Sequence, residues 1–319
     1  MIIFGPIPSR RLGRSLGINN IPPKVCTYSC IYCQIGATDT MTIKRREFYS
    51  PTEIFNEVSE KINQLQKTEE KIDYLTFVPD GEPTLDINLG KSILLLKKLG
   101  IKIAVITNAS LLWDRDVRND LMNADWVSVK IDSIDEKIWG AIDRPHGLLK
   151  LSKIIEGIEN FSLSFKGELV TETMLVKDCN DSIESLTNTA KIIKAINPAQ
   201  AYILVPTRPP AEPNLEVPSE ESLNNAYQIY SSVLKHVEII SNNEGTDFSY
   251  SCDAEEELLS ILAVHPMRKD SVEIFLDKAN TKWNLIDGLI DKGILKEVKY
   301  FDEIFLIKNI KSKLEQNRN

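Results

Sequence analysis

Three cysteines fall close together in Cys26-Thr27-Tyr28-Ser29-Cys30-Ile31-Tyr32-Cys33. A CxxxCxxC spacing gathers soft thiolates, ligands suited to zinc or to an iron–sulfur cluster. Three thiolates hold three irons of a four-iron cluster and leave the fourth open to a non-protein ligand. A structural zinc needs a fourth protein ligand. The histidines (His146, His236, His265) show no ligand spacing, and Cys179 and Cys252 stand alone, which reads as small apolar residues. The spacing therefore favours a cluster, with zinc or unligated thiols as the alternatives. Polar segments further on each follow a short apolar run: Gly81-Glu82-Pro83-Thr84, Thr107-Asn108-Ala109-Ser110-Leu111, and Asp132. Alone, the first is a turn signal and the second a helix cap.

These residues need elements to place them. Ser50-Pro51-Thr52-Glu53 is a capping box with proline at the first helical position, and Ile54, Val58, Ile62 and Leu65 follow on one face. Strands are expected at 72–78, 101–106, 126–131, 169–175 and 201–205, with helices at 88–99, 114–122, 135–141, 147–160, 182–196 and 219–235. If the segment around Leu16-Gly17-Ile18 opens the series, there are about six βα units. Such alternation implies a parallel sheet with right-handed crossovers. Periodicity leaves open whether it is doubly wound or a curved partial barrel. Beyond residue 250 the pattern changes to three short helices (255–264, 270–278, 280–292) and a hairpin around 300–303, similar to a winged helix-turn-helix. The expected division is 1–245, 253–310 and a tail at 311–319.

Composition narrows the function. With 319 residues, 42% hydrophobic and 26% charged, and a mean hydropathy of −0.17, the chain reads as a packed soluble globule. No apolar run approaches the roughly 20 residues of a bilayer span, so no membrane association is expected. A net charge of −8 argues against bulk attraction to nucleic acid. Five cysteines without a signal peptide point to a reducing, cytoplasmic setting. Residues 1–38 carry Arg10, Arg11, Arg14 and Lys24 and no acid, like a transit peptide. Pro6, Pro8, Gly13 and Gly17 interrupt any amphipathic helix there, so this segment belongs to the fold.

Taken in order, the cysteines with Tyr32 before the last, Gly81–Thr84, Thr107–Leu111 and Asp132 resemble the radical S-adenosylmethionine (SAM) superfamily. Gly81-Glu82-Pro83-Thr84 is similar to its GGEP motif with Asp80 at the first glycine, and Thr107–Leu111 to its TNG-type segment. The segment from Gly5 to Gly17 resembles an Fe–S oxidoreductase branch loosely grouped with wyosine-type tRNA-modifying enzymes, although the upstream cysteines of a second cluster are missing. The resemblance implies an α/β fold: a partial (β/α)6 TIM-like barrel with a small C-terminal winged-helix domain. It implies a [4Fe-4S] cluster on Cys26, Cys30 and Cys33, SAM, and an electron donor such as ferredoxin or flavodoxin. Gly81, Glu82 and Pro83 would meet the SAM amino group. Asn108, Ser110 and Lys130 would surround its carboxylate or sulfonium, Asp132 its ribose, and Tyr32 would lie against it.

Other residues are weighed against structural roles. Glu168 and Glu172 fall in a strand, where Glu172 is a SAM contact or an interior carboxylate. Arg10, Arg11 and Arg14 suit an anionic substrate group, and Arg144-Pro145-His146 and Thr207-Arg208-Pro209-Pro210 follow expected core elements and are candidates to face the substrate. Trp283 reads as core. In the C-terminal unit Lys282 and Lys292 are offset by Asp287 and Asp291, with Asp302 and Glu303 at the hairpin tip, a balance that favours peptide docking over nucleic acid. The chemistry expected is SAM cleavage to a radical that takes hydrogen from a macromolecule, protein, peptide or tRNA. The alternatives are an iron–sulfur DNA-binding regulator and a radical SAM enzyme acting on a small metabolite.

Overall fold

The structure, a computed structural model, describes residues 2–66, 70–241, 248 and 253–309. The expected boundary at 245–253 (apart from Phe248 and Asp253), Cys252 and the tail at 311–319 lie outside the described residues.

The chain opens on an antiparallel hairpin, β1 (Ile3–Ser9) and β2 (Gly13–Ile18). Two short strands, β3 (Val25–Cys26) and β4 (Thr40–Met41), flank the cysteine loop. The capping box then opens α1 (Pro51–Gln66): the Ser50 hydroxyl accepts from Glu53 N at 3.1 Å, and the Glu53 carboxylate accepts from Ser50 N at 3.4 Å. There follow β5 (Tyr74–Phe77), α2 (Leu89–Leu96), β6 (Lys102–Thr107), α3 (Arg115–Leu121), β7 (Trp126–Lys130), α4 (Glu136–Asp143), α5 (Leu151–Ser164) and β8 (Glu168–Met174). Then come α6 (Ile183–Ile196), β9 (Gln200–Leu204), α7 (Glu220–Val233) and β10 (Val237–Ile240). The strand order is β1-β2-β5-β6-β7-β8-β9-β10, and from β2 onwards every pairing is parallel.

The expected count of six units misses two strands. β1 contains Pro6 and Pro8, which read as breakers but are tolerated on the edge of a sheet. β10 is short and without a fully buried residue, so it carries no core signature.

Alternation along the strands separates two faces. Leu75, Phe77, Ile103, Val105, Val127 and Val129 point outwards into the core shared with the helices. Ala104, Trp126, Val170, Tyr202 and Leu204 point inwards and close around Leu12, in the turn between β1 and β2. In a flat sheet with strands ~4.8 Å apart, β2 and β8 would be roughly 20 Å from one another. Yet Leu12 packs on Val170, and Arg11 ion-pairs with Glu172, both on β8. The sheet therefore curls, and the hairpin turn lies against its concave side.

The second core is separate. Helices α8 (Ala254–Val264), α9 (Lys269–Lys278) and α10 (Asn284–Asp291) pack on a three-stranded antiparallel sheet of β11 (Met267–Arg268), β12 (Leu295–Tyr300) and β13 (Glu303–Lys308), ordered β11-β13-β12. Leu258, Ile261, Val272, Phe275, Ile286 and Leu306 fill it. The third helix is shorter than expected because Asn280, at φ 49°, ends α9 in the left-handed region. Trp283 is half-buried against this core, under the Lys269 ammonium. Leu12→Ala should cost about 2–5 kcal/mol in denaturant titration through its cavity. The same truncation at exposed Leu148 should stay within about 0.5 kcal/mol.

Candidate active site

Parallel strands present their C-terminal ends to one rim, and the loops there define the site. The three cysteines, the loop after β5 and the loop after β6 line a cavity of about 300 Å³, with Lys130 and Glu172 on its wall. Val264, the last residue of α8, also lines it.

The loops are held to one another at close quarters. Gly81 sits against the Val25 carbonyl, where a Cβ would come within 1.9 Å of the oxygen, and Glu82 N donates to that same oxygen at 3.2 Å. The Glu82 carboxylate, 1% exposed, is filled from within: one oxygen accepts from Thr84 N, Thr84 Oγ1 and Thr107 Oγ1, the other from Asn108 N at 2.8 Å. Asn108 in turn donates to Thr27 Oγ1 at 2.8 Å and lies 3.6 Å from the Cys26 sulfur. Ala109 takes the left-handed conformation (φ 63°), with Thr107 Oγ1 accepting from its N–H.

Ionisable groups crowd the opposite wall. Lys130 Nζ lies 3.6 Å from Asp132 and 4.8 Å from the centre of the Tyr32 ring. Burial opposes its charge, but Asp132, Glu172 and Asp143 outweigh that and hold its pKa above the ordinary lysine value. Burial raises Glu172 too, and Arg11, Lys130 and a Ser128 hydroxyl at 2.7 Å reverse the effect and hold it low. Glu172 is thus a paired interior carboxylate on the cavity wall, while Glu168 is exposed at the start of β8. The Tyr32 hydroxyl donates to Asp132 at 2.5 Å, and Asp143 lies 3.0 Å from it.

Several expected contacts are used up inside the protein. Asp132 accepts from Tyr32 and from Met174 N at 2.7 Å and does not line the cavity. Ser110 meets Thr27 at 2.7 Å behind it, and the Pro83 carbonyl takes the Asn20 amide. Tyr32, Gly81, Glu82, Asn108 and Lys130 do line it. The arginines disperse. Arg14 pairs with Glu70 beside Asp73, at the far end of the strands. Arg144 pairs with exposed Glu212. Arg11 reaches the cavity, and Arg10 and Arg208 line a smaller neighbouring pocket with it. Asp143, Lys24 and Gln34 escaped the sequence reading. The Asp143 carboxylate lies 3.3 Å from the Cys30 sulfur, buried, and burial followed by Asp132 drives its pKa far up. Its place at the end of α4, just before Arg144-Pro145-His146, was the available hint. Asp80, seen only as a departure from a motif, is 3% exposed with one carboxylate oxygen unpartnered, and burial pushes it up to about 7.

A model of the radical SAM superfamily matches residues 20–191. A UPF0026 protein of Methanocaldococcus jannaschii is 48% identical over 98% of this chain and 97% of its own length. One from Helicobacter pylori is 33% identical over 86% and 88%. Among solved structures, a radical SAM methyltransferase from Sphaerobacter thermophilus superposes with a TM-score of 0.55 at 14% identity, covering 75% of this chain and 69% of that one. SuiB of Streptococcus suis, bound to S-adenosylmethionine, gives 0.52 at 11% identity over 70% and 49%. The chain belongs to the radical SAM superfamily and is an enzyme of that type, working with a [4Fe-4S] cluster and SAM.

The residues fit those groups. Burial, with Glu82 behind it, pushes the Cys26 thiol up to about 12, and burial and Asp143 push Cys30 far up. Thiols so placed become thiolates only against a cationic metal. Among the described residues no three His, Cys, Asp or Glu side chains gather tightly enough to hold a single ion.

Gly81→Ala should separate the two loops and lower the unfolding midpoint measurably, since its clash is with backbone that has no room to yield. An unchanged midpoint would count against the contact. Asp86 supplies a pH test. Burial raises it to about 6, above the ordinary carboxylate, so the folded state binds its proton more tightly. That contribution is present in full below the unfolded pKa and is lost as pH rises through about 6. Asp86→Asn should flatten the stability profile between those values.

Proposed function

We propose that the chain uses SAM to abstract hydrogen from a macromolecular substrate, protein, peptide or tRNA, whose approach is framed by the C-terminal unit. The supporting observation is the convergence of three thiols and two motif loops on one cavity whose rim includes Val264 of α8. The cluster and SAM, when bound, supply reductive cleavage to methionine and a 5′-deoxyadenosyl radical. Cys26, Cys30 and Cys33 hold the cluster, and the Gly81 backbone faces the SAM amino group. Asn108 and Lys130 receive the carboxylate. Tyr32 lies against the ligand, its hydroxyl fixed by Asp132, a positioning residue in this reading. Glu82 and Ser110 likewise act through Asn108 and Thr27, and Pro83 by shaping its turn.

We read the curled sheet as a partial (β/α)6 barrel extended by a seventh parallel strand. The C-terminal helices and three-stranded sheet are read as a winged helix, the two units meeting near 245–253. Ferredoxin or flavodoxin is the electron donor we propose, and the cytoplasm the compartment, in keeping with free thiols at Cys26, Cys30, Cys33 and Cys179. No described helix is long and apolar enough to cross a membrane. tRNA is included because of the resemblance of the segment from Gly5 to Gly17.

Anaerobic reconstitution with iron and sulfide, followed by dithionite and SAM, should yield 5′-deoxyadenosine, and Cys30→Ala should abolish it. Product no greater than in the Cys30→Ala control would overturn the reading.

A further inference from the structure

A second cavity, about 390 Å³, lies between the cysteine loop, the 209–213 loop and the outer side of the C-terminal sheet. Four lysines line it: Lys296 and Lys299 on β12, Lys308 on β13 and Lys24 before β3. No aspartate, glutamate or arginine does so among the described residues. Buried Asp80, on the thiol-cavity side of the shared wall, attracts Lys308 and Lys24, and the other nearby acids are engaged elsewhere. Glu212 pairs with Arg144, Glu297 lies 3.7 Å from Lys269, and Glu303 lies 3.3 Å from Arg268. None of the four lysines forms an ion pair among the described residues.

They are graded in depth. Lys296 and Lys299 are exposed at the rim, Lys308 is half-buried, and Lys24 is 9% exposed at the floor. Lys24 is held at φ 59° by a bond from its N–H to the Asp80 carbonyl and by its own carbonyl, which accepts from Thr40 N. A non-glycine residue in the left-handed region carries backbone strain that the surrounding bonds must hold in place. Lys24 lines the thiol cavity as well, as do Gln34, Ile35 and Gly36, so the two cavities share a wall.

Four lysines facing one buried carboxylate, Asp80, leave an excess of positive charge, part of it taken out of water, that an anion would relieve. Lysines are point charges that suit the several oxygens of a phosphate, whereas carboxylates are matched by the guanidinium forks missing here. We infer that this cleft binds a phosphate-ester group of the substrate and so presents the adjoining part of that substrate to the thiol cavity. The inference rests on the radical SAM reading for the second half of that statement and on the lysines alone for the first. The charge balance of α10 and the hairpin tip favours peptide, but Lys24, Lys296, Lys299 and Lys308, distant in sequence, together favour phosphate.

The test is equilibrium binding of a fluorescently labelled single-stranded RNA of about ten nucleotides to the full chain, without iron, SAM or reductant. Its outcome is therefore independent of whether 5′-deoxyadenosine forms. With three or four phosphates engaged, log affinity should fall with log salt at a slope of about −2 to −3. Lys296→Gln with Lys299→Gln should weaken binding about tenfold or more, and Lys24→Met should weaken it further. Lys153→Gln, on the exposed α5 face, should leave it unchanged. Unlabelled pyrophosphate that displaces the RNA marks a small phosphorylated substrate, and pyrophosphate that fails to displace it marks a polymer. Unchanged binding by the double variant, or displacement by hexaglutamate as effective as by unlabelled RNA, would overturn the inference.

Discussion

Charge buried behind a parallel sheet must be answered by partners placed there by other elements. The site is organised around that constraint. Glu82 is the clearest case, since a carboxylate without water needs donors on both oxygens, and those come from its own turn and from the loop after β6. Lys130, Glu172, Arg11 and Asp132 solve the same problem on the facing wall by balancing one another. Remove one member of either set and a desolvated charge is left without its counterpart, a larger cost than the loss of one exposed ion pair.

The concave shape follows from the same demand. Arg11 reaches Glu172 only because the turn between β1 and β2 bends over the inner face, and Leu12 anchors that turn among Trp126, Val170 and Tyr202. The hydrophobic and ionic contacts are neighbours in sequence but answer different needs: one fixes the depth of the turn, the other settles the electrostatics of the wall above it. Gln34 extends the arrangement to the C-terminal unit. Its amide donates to the Val264 carbonyl at 2.9 Å and accepts from Arg208 at 2.6 Å, one residue beyond Cys33.

Much of this was legible in the sequence. The period of the apolar residues located every strand from β5 to β9, and the capping box located the start of α1, because both signals are local. The cysteine spacing and the two motifs at strand ends marked the residues that converge. What stayed hidden depends on contacts far along the chain. Whether Asp132 faces a ligand or Tyr32 is decided by a partner at Tyr32, and whether Glu82 is free is decided by Thr107 and Asn108. Arg10, Arg11 and Arg14 look like one cluster, but a tight turn sends Arg14 to the opposite end of the strands. Lys24 and Lys308 share a cleft only because the C-terminal sheet comes back over the cysteine loop.

The contact between Gly81 and the Val25 carbonyl has a thermodynamic corollary. Because the loops bearing the thiols and the Gly81 turn are locked by backbone contact and by bonds internal to the protein, their conformational entropy is surrendered during folding. An incoming ligand meets a preorganised receptor and loses only its own freedom on docking, which leaves more of its intrinsic binding energy to appear as affinity.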